Sequence, residues 1–150
     1  MLDGIKITGR AHLELKDEHG NVKESFDVTN LVSNAGRQWL WTSGCGTPPA
    51  QMGWMALGTG STAPANTDVA LQSEGASTRV ATSSNGTISG TQSQWTCTWN
   101  AGIATGSWTE AGIFNSATTS AGTMLAHITF GTITKNSGDT LTITWTITLS

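Results

Sequence analysis

The last eleven residues of the chain constrain its fold most strongly. They read TLTITWTITLS, with apolar residues at the odd positions 141–149 and threonines at the even positions 140–148. Successive side chains of an extended strand point to opposite faces of a sheet, so this period of two predicts a strand with one apolar face and one hydroxyl-lined face. Threonine is also β-branched, which favours the pleated conformation. Such a strand needs partners to pair with and a second layer over its apolar face.

The rest of the chain supplies further strand patterns, separated by turns rich in Gly, Asn and Ser. They occupy residues 5–15, 22–32, 52–57, 78–83, 92–100, 106–115 and 123–134. No amphipathic helix is long enough to connect parallel strands. We therefore predict an antiparallel all-β fold, a β-sandwich or jelly roll, in a single domain over residues 1–150. The turn at residues 136–139 predicts that strand 123–134 pairs with the final strand.

One or two short helices interrupt these strands. Residues 33–43 break the alternation, and Ser33 is placed to cap a helix whose apolar anchors are Trp39, Leu40 and Trp41. A second, shorter helical turn is expected at residues 66–73, after the glycine-rich turn that follows strand 52–57.

Charge is distributed unevenly along the chain. Residues 1–37 hold eleven of the seventeen charged side chains, and two strands in this part flank the turn sequence DEHGN. We expect a hairpin there, with residues 1–30 forming an arm or docking extension. The remaining charged residues are Asp68, Glu74, Arg79, Glu110, Lys135 and Asp139. A body this poor in charge is either deeply packed or covered by partners.

Composition excludes several classes of protein. The net charge of −3 does not favour nucleic-acid binding, which usually needs a basic stripe. No apolar run has the length of a membrane span or of a signal peptide, so we expect no membrane partner and synthesis in the cytoplasm. Cys97 lies on the parity of Trp95 and Trp99, which predicts a small buried hydrophobe rather than a disulfide with Cys45.

Motifs for metal, cofactor or nucleophile chemistry are missing from the sequence. The three histidines are scattered, the GTG turn at residues 58–60 lacks the P-loop lysine, and we expect no cofactor, metal site or catalytic residue. His127 is expected to be half-buried or at an interface. Glu110, a carboxylate within a strand, is predicted to pair with Arg79 and so to fix strand register or a subunit contact. A glycan hydrolase using Glu110 is a more distant alternative.

Several segments together resemble small structural proteins of tailed-phage virions. They are VTNLVSNAGRQWLW, MGWMALGTGSTAPANTDVALQSE, Arg79, WTEAGIFN and the terminal stretch GTMLAHITFGTITKNSGDTLTITWTITL, spread over Val28 to Leu149. The resemblance implies a capsid decoration, or cement, protein that stabilises the outer capsid lattice. Proteins of this kind often form homotrimers of β-sandwiches on the capsid. We accordingly expect a non-enzymatic virion protein, made in the host cytoplasm, whose partners are the major capsid protein and itself.

Two alternatives stay open at this point. The resemblance also fits a tail-fibre or tailspike module that binds a host receptor or glycan, in which an exposed Trp such as Trp108 would stack on sugar. The threonine face of the last strand, at Thr142, Thr144 and Thr146, is expected to be either a subunit interface or a solvated outer face.

Overall fold

The predicted antiparallel all-β fold is confirmed. The structure is a computed structural model that describes residues 4–150, and it contains one α-helix and nine strands within that range. The elements are β1 (Ile7–Lys16), β2 (Val22–Val32), α1 (Asn34–Cys45), β3 (Trp54–Gly58), β4 (Val80–Ala81), β5 (Thr87–Ser89), β6 (Gln92–Trp99), β7 (Gly106–Phe114), β8 (Met124–Lys135) and β9 (Thr140–Leu149).

The strands form one curled sheet in the order β4-β3-β7-β8-β2-β1-β9-β6-β5. Its two ends approach each other, since the backbone N–H of Ser83, just after β4, donates to the carbonyl of Thr96 in β6 at 2.8 Å. The core fills the inside of the curl. The finer assignment to a sandwich or jelly roll stays a prediction.

The alternating pattern of the last strand defines the inside and the outside of the sheet. Leu141, Ile143, Trp145 and Ile147 are buried in the core, while the threonines between them are half-buried on the outer face. Two indole groups from β6 also find partners inside, because Trp95 donates to the carbonyl of Met52 at 3.0 Å and Trp99 donates to that of Thr78 at 2.6 Å. These two buried tryptophans therefore add both apolar area and cross-core hydrogen bonds.

The predicted hairpin between β8 and β9 is wrong. The turn itself forms, with the N–H of Asp139 donating to the carbonyl of Asn136 at 3.0 Å. However, β9 pairs with β1 over ten residues and with β6 over eight, whereas β8 pairs with β7 and β2. The turn carries the chain from one half of the curled sheet to the other.

The first hairpin is integrated into the sheet and does not form a separate arm. The carboxylate of Asp17 accepts the N–H groups of His19 and Asn21, both at 2.9 Å, which fixes the turn. From this turn β1 and β2 run into the middle of the sheet, and Ala11, Leu13 and Leu15 belong to the main core. The part of the expected arm at residues 1–3 lies outside the described residues.

Helix α1 forms where expected but is anchored differently. Ser33 caps it by accepting the N–H of Gly36 at 3.0 Å and donates to the carbonyl of Met124 at 2.9 Å. Trp39 and Leu40 pack on the main core as expected, but Gly36 is the fully buried contact and Trp41, the third expected anchor, is 66% exposed. The prediction of a helical turn at residues 66–73 is wrong, because this segment forms irregular turns.

Candidate functional site

A 21-residue connection between β3 and β4 covers the outer face of β7 and β8. We call it the cover loop, residues 59–79. Because of it, β7 residues 110–114 are buried on both faces of the sheet. Leu71 of the loop joins a second small core with Ala56, Phe114 and Met124. Loops of this length without secondary structure are uncommon and are usually functional, so the contacts that hold this one identify the candidate site.

A buried histidine between two carboxylates ties the cover loop to the sheet. On β8, His127 is 1% exposed; its Nδ1 lies 3.0 Å from Asp68 Oδ2 of the loop and its Nε2 lies 2.8 Å from Glu110 Oε2 of β7. A neutral imidazole has only one N–H, so only the imidazolium can donate to both carboxylates. The geometry thus assigns a positive charge to His127.

Glu110 also holds the backbone of the loop. Its carboxylate accepts the N–H groups of Gly60 at 3.0 Å, Gln72 at 3.1 Å and Ser73 at 2.8 Å. Charge-assisted hydrogen bonds of this kind are shorter and stronger than neutral ones. A single carboxylate therefore fixes both ends of residues 60–73.

The pKa values of the pair follow from these contacts. Burial alone would raise the pKa of Glu110, but the hydrogen bonds from His127 and the three loop amides outweigh it and hold the pKa below its ordinary value of 4.5. Burial alone would lower the pKa of His127, but the hydrogen bonds to Glu110 and Asp68 outweigh it and raise the pKa above 6.5. Both shifts favour the charged pair of imidazolium and carboxylate, in agreement with the geometry.

Two glycines of the ALGTG sequence make room for the carboxylate of Glu110. A Cβ on Gly58 would lie 2.4 Å from Glu110 Oε1, and one on Gly60 would lie 2.7 Å from the same atom. Real Cβ atoms are not found this close to other atoms, so the loop could not approach Glu110 with larger residues at these positions. The glycine-rich turn is explained by this close approach.

The predicted ion pair between Arg79 and Glu110 is replaced by one between Arg79 and Glu74. Arg79 Nε and Nη2 donate to the two oxygens of Glu74 at 2.7 and 3.1 Å, and both side chains are nearly buried. Nη1 donates to the carbonyls of Ser116 and Ala121 at 2.7 and 2.9 Å. The guanidinium also lies over the ring of Phe114, with Cζ 3.7 Å from the centroid.

This second cluster holds the turn between β7 and β8. Glu74 completes it by accepting the N–H of Ser120 at 2.9 Å. The partner predicted for Arg79 was wrong because Glu74, only five residues away, is brought back by the fold of the cover loop. The Asp-x-x-Leu-x-x-Glu spacing at Asp68, Leu71 and Glu74 was the available signal, since all three side chains are used to fasten the loop.

All six charged side chains beyond Arg37 make internal contacts, and Asp68 is the one among them that is partly exposed. Outside the two clusters just described, Lys135 is fully buried, and its amino group donates to the carbonyl of Asn100 at 3.0 Å. Asp139 accepts from Lys23 at 2.7 Å and is itself buried. The exposed charge of residues 4–150 therefore lies mainly in residues 6–37, and the surface of residues 38–150 is almost uncharged.

The other predicted site residues lie apart from these clusters. Trp108, considered for sugar stacking, is buried and donates to the carbonyl of Ala104 at 2.9 Å. Thr142, Thr144 and Thr146 lie half-buried on the outer face of β9, where the Thr142 hydroxyl lies 3.2 Å from that of Thr98 in β6. Whether a partner covers this face stays a prediction.

An uncharged groove opens at one end of the curled sheet. Its cavity volume is about 400 Å³, and its apolar lining comes mainly from Trp39, Leu40, Pro48, Pro49, Trp95 and Ile147.

Within residues 4–150, no group of three His, Cys, Asp or Glu side chains is arranged to hold a metal ion. In the same range, no helix has the length and apolar character needed to cross a membrane.

Comparison of the chain with protein-family models, with curated proteins and with solved structures gave no match.

Proposed function

We propose that the chain is a structural protein of a phage virion, most specifically a capsid cement protein on the outer capsid surface. Its partners would be the major capsid protein and further copies of itself in a homotrimer. The proposal starts from the resemblance of Val28 to Leu149 to such proteins. It is supported by the use that the fold makes of the matching residues, since Gly58, Asp68 and Glu110 all fasten one loop.

The observation that carries the proposal is that every charged side chain between residues 38 and 150 is bound in an internal contact, with only Asp68 partly exposed. Moving a charged group out of water costs far more free energy than moving a hydroxyl or an amide that finds a new hydrogen bond. An almost uncharged surface can thus be covered by a partner at low cost. This property suits a protein that works by contact over a large area.

The proposed mechanism is selective binding to the assembled shell. A ligand that binds only the assembled state shifts the equilibrium toward that state, so a cement protein opposes disassembly without doing any chemistry. A closed trimer satisfies its own interfaces and does not grow into an open filament. The buried clusters add to this by holding the cover loop in one conformation before binding, which lowers the entropy cost of association.

Imaging of virions made with and without this protein tests its location. We expect density at regular positions on the capsid lattice, hundreds of copies per particle, and particles that rupture at lower temperature when the protein is absent. Density on the tail, with a few to a few dozen copies, would overturn the cement proposal.

The threonine face of β9 can be tested separately as a subunit contact. Replacing Thr142, Thr144 and Thr146 by Lys should convert the trimer to monomer in analytical ultracentrifugation, because three charges would have to be buried. Serine at the same positions keeps the hydroxyl groups and is the matched control. An unchanged oligomer in the lysine variant would show that this face meets water.

A glycan-binding module of a tail fibre or tailspike is the second candidate, and the exposure of Trp41 favours it. An aromatic side chain that is 66% exposed offers a free face for stacking on a sugar ring. If this candidate is right, Trp41→Ala should abolish binding to host cell-surface glycan, while Trp41→Phe should keep part of it. Equal binding by all three proteins would exclude Trp41 as the sugar contact.

A further inference from the structure

The contacts that hold the cover loop on the sheet depend on the protonation states of His127 and Glu110. His127 contributes two hydrogen bonds to carboxylates, and Glu110 accepts three loop amides in addition to His127. Four of these five contacts connect the loop to β7 or β8 directly, and the fifth joins the two strands. The loop side of the network consists of Asp68 and the N–H groups of Gly60, Gln72 and Ser73.

We propose that the cover loop is a proton-controlled latch, closed while His127 is protonated and Glu110 is ionised, and released when either condition is lost. Loss of the proton from His127 leaves one ring nitrogen with a lone pair that faces a carboxylate oxygen. That contact then changes from a charge-assisted hydrogen bond into a repulsion between two acceptors. Protonation of Glu110 removes the negative charge that strengthens the hydrogen bonds it accepts from the loop amides.

Among residues 4–150, Glu110 and Asp68 are the charged groups directed at His127 from the elements packed around it. Glu110 is the charged residue that faces it from β7, and Asp68 is the one from the cover loop. On β2 the residue paired with His127 is Leu31. Helix α1 packs against β8, and its one charged residue is Arg37, whose Nε donates to the carbonyl of Val32. The Glu74–Arg79 pair is satisfied within its own cluster.

The direction of each pKa shift gives the pH range of the closed latch. Because the pKa of folded His127 is raised, its contribution is complete below the ordinary value of 6.5 and is lost as pH rises through the raised pKa. Because the pKa of folded Glu110 is lowered, its contribution is complete above 4.5 and is lost as pH falls through the lowered pKa. The latch is closed between these two limits.

Opening would have a structural consequence confined to one side of the sheet. Leu71 is the residue of the loop that packs on Ala56, Phe114 and Met124, so release of the loop exposes this small core. The main core lies on the other face of the same strands and includes Ala111 and Ile113. The sheet can therefore stay folded while the loop opens.

Hydrogen exchange of the full chain, followed by mass spectrometry between pH 5 and pH 9 and corrected for intrinsic exchange rates, tests the latch. We expect peptides within residues 59–73 to lose at least tenfold in protection as pH rises through the raised pKa of His127. Peptides from β1 and β9 should keep theirs. Protection of residues 59–73 that does not change with pH would overturn the proposal.

Two variants and a control separate the latch from general instability. His127→Gln should leave residues 59–73 poorly protected at every pH, whereas His12→Gln should leave the profile unchanged, because His12 pairs with Asp27 on the exposed face of the hairpin. If the first variant fails to fold, Asp68→Asn serves in its place. Removing this anion should move the opening midpoint to lower pH, and an unchanged midpoint would contradict the latch.

Discussion

At the scale of single residues, glycine sets how closely the backbone of one element can approach another. Helix α1 lies against β8 at Gly36, where an added Cβ would lie 2.1 Å from the carbonyl oxygen of Leu125. That atom belongs to the backbone of a buried strand and cannot move aside. Gly44 of the same helix has no atom within 4 Å of an added Cβ. Packing of the helix on β8 thus requires glycine at position 36 but not at position 44.

Gly36→Ala should therefore destabilise the protein by about 1–3 kcal/mol, the usual cost of overpacking a buried contact. Gly44→Ala is the matched control and should stabilise the protein by about 0.5–1 kcal/mol, because alanine has the higher helix propensity. Urea denaturation measures both. Equal effects of the two substitutions would contradict the close contact between α1 and β8.

Loss of Arg79 should be strongly destabilising. Arg79→Ala leaves the buried carboxylate of Glu74 and two backbone carbonyls without their donor, and breaking a buried pair in this way costs about 3–5 kcal/mol. We expect a lower melting temperature and impaired assembly. Arg10→Ala, on the exposed face of β1, is the control and should change stability by less than about 0.5 kcal/mol. A normally assembled and equally heat-stable Arg79→Ala protein would contradict this account.

The sequence identified Glu110 and Arg79 as important but not their partners, and it predicted His127 only as half-buried or interfacial, whereas it is fully buried between two carboxylates. Glu110 was recognised because a carboxylate within a strand must be satisfied, and Arg79 because it is the only Arg beyond Arg37. The partners found in the structure, Asp68 and Glu74, lie in an irregular loop with no periodic pattern. No local rule specifies how such a loop folds back, so these pairs could not be predicted.

At the scale of elements, alternation of apolar and polar residues predicts faces but not neighbours. The ten-residue strands β1 and β9 are predicted by their period of two, and both are present. Their pairing with each other joins residues more than 120 positions apart, which no turn motif can indicate. The short turn before β9 favoured pairing with β8, but the curl of the sheet separates these two strands. The three-residue strand β5 was too short to give a pattern.

The approach of β4 to β6 can be followed through Cys97. Its thiol lies 3.5 Å from the carbonyl oxygen of Val80 and 3.8 Å from that of Ala81, and burial raises its pKa to about 12. Since the thiolate is the reactive form, iodoacetamide at pH 8 should modify exposed Cys45 in the native protein and Cys97 only after unfolding. Equally fast modification of both cysteines would show that the sheet is open between β4 and β6.

At the scale of the whole molecule, charge divides the surface into two parts. Residues 6–37, mainly the hairpin of β1 and β2, carry most of the exposed ionic groups. Of the six charged side chains of residues 38–150, five are nearly buried and Asp68 is 23% exposed. The sequence showed where the charges lie along the chain, and it left open whether the charge-poor part was packed or covered. The structure adds that the few charges present are bound in internal contacts, with only Asp68 partly exposed. This followed from tertiary contacts and could not be read from composition.

Ionic strength should therefore have little effect on any contact made through the surface of residues 38–150. Raising salt from 0.1 M to 1 M shortens the Debye length from about 10 Å to about 3 Å and weakens attraction between exposed charges, but this surface has almost none to screen. Association through it should persist at 1 M NaCl with an affinity within about twofold of that at 0.1 M, as measured by sedimentation. Dissociation in high salt would place the contact on the charged hairpin instead.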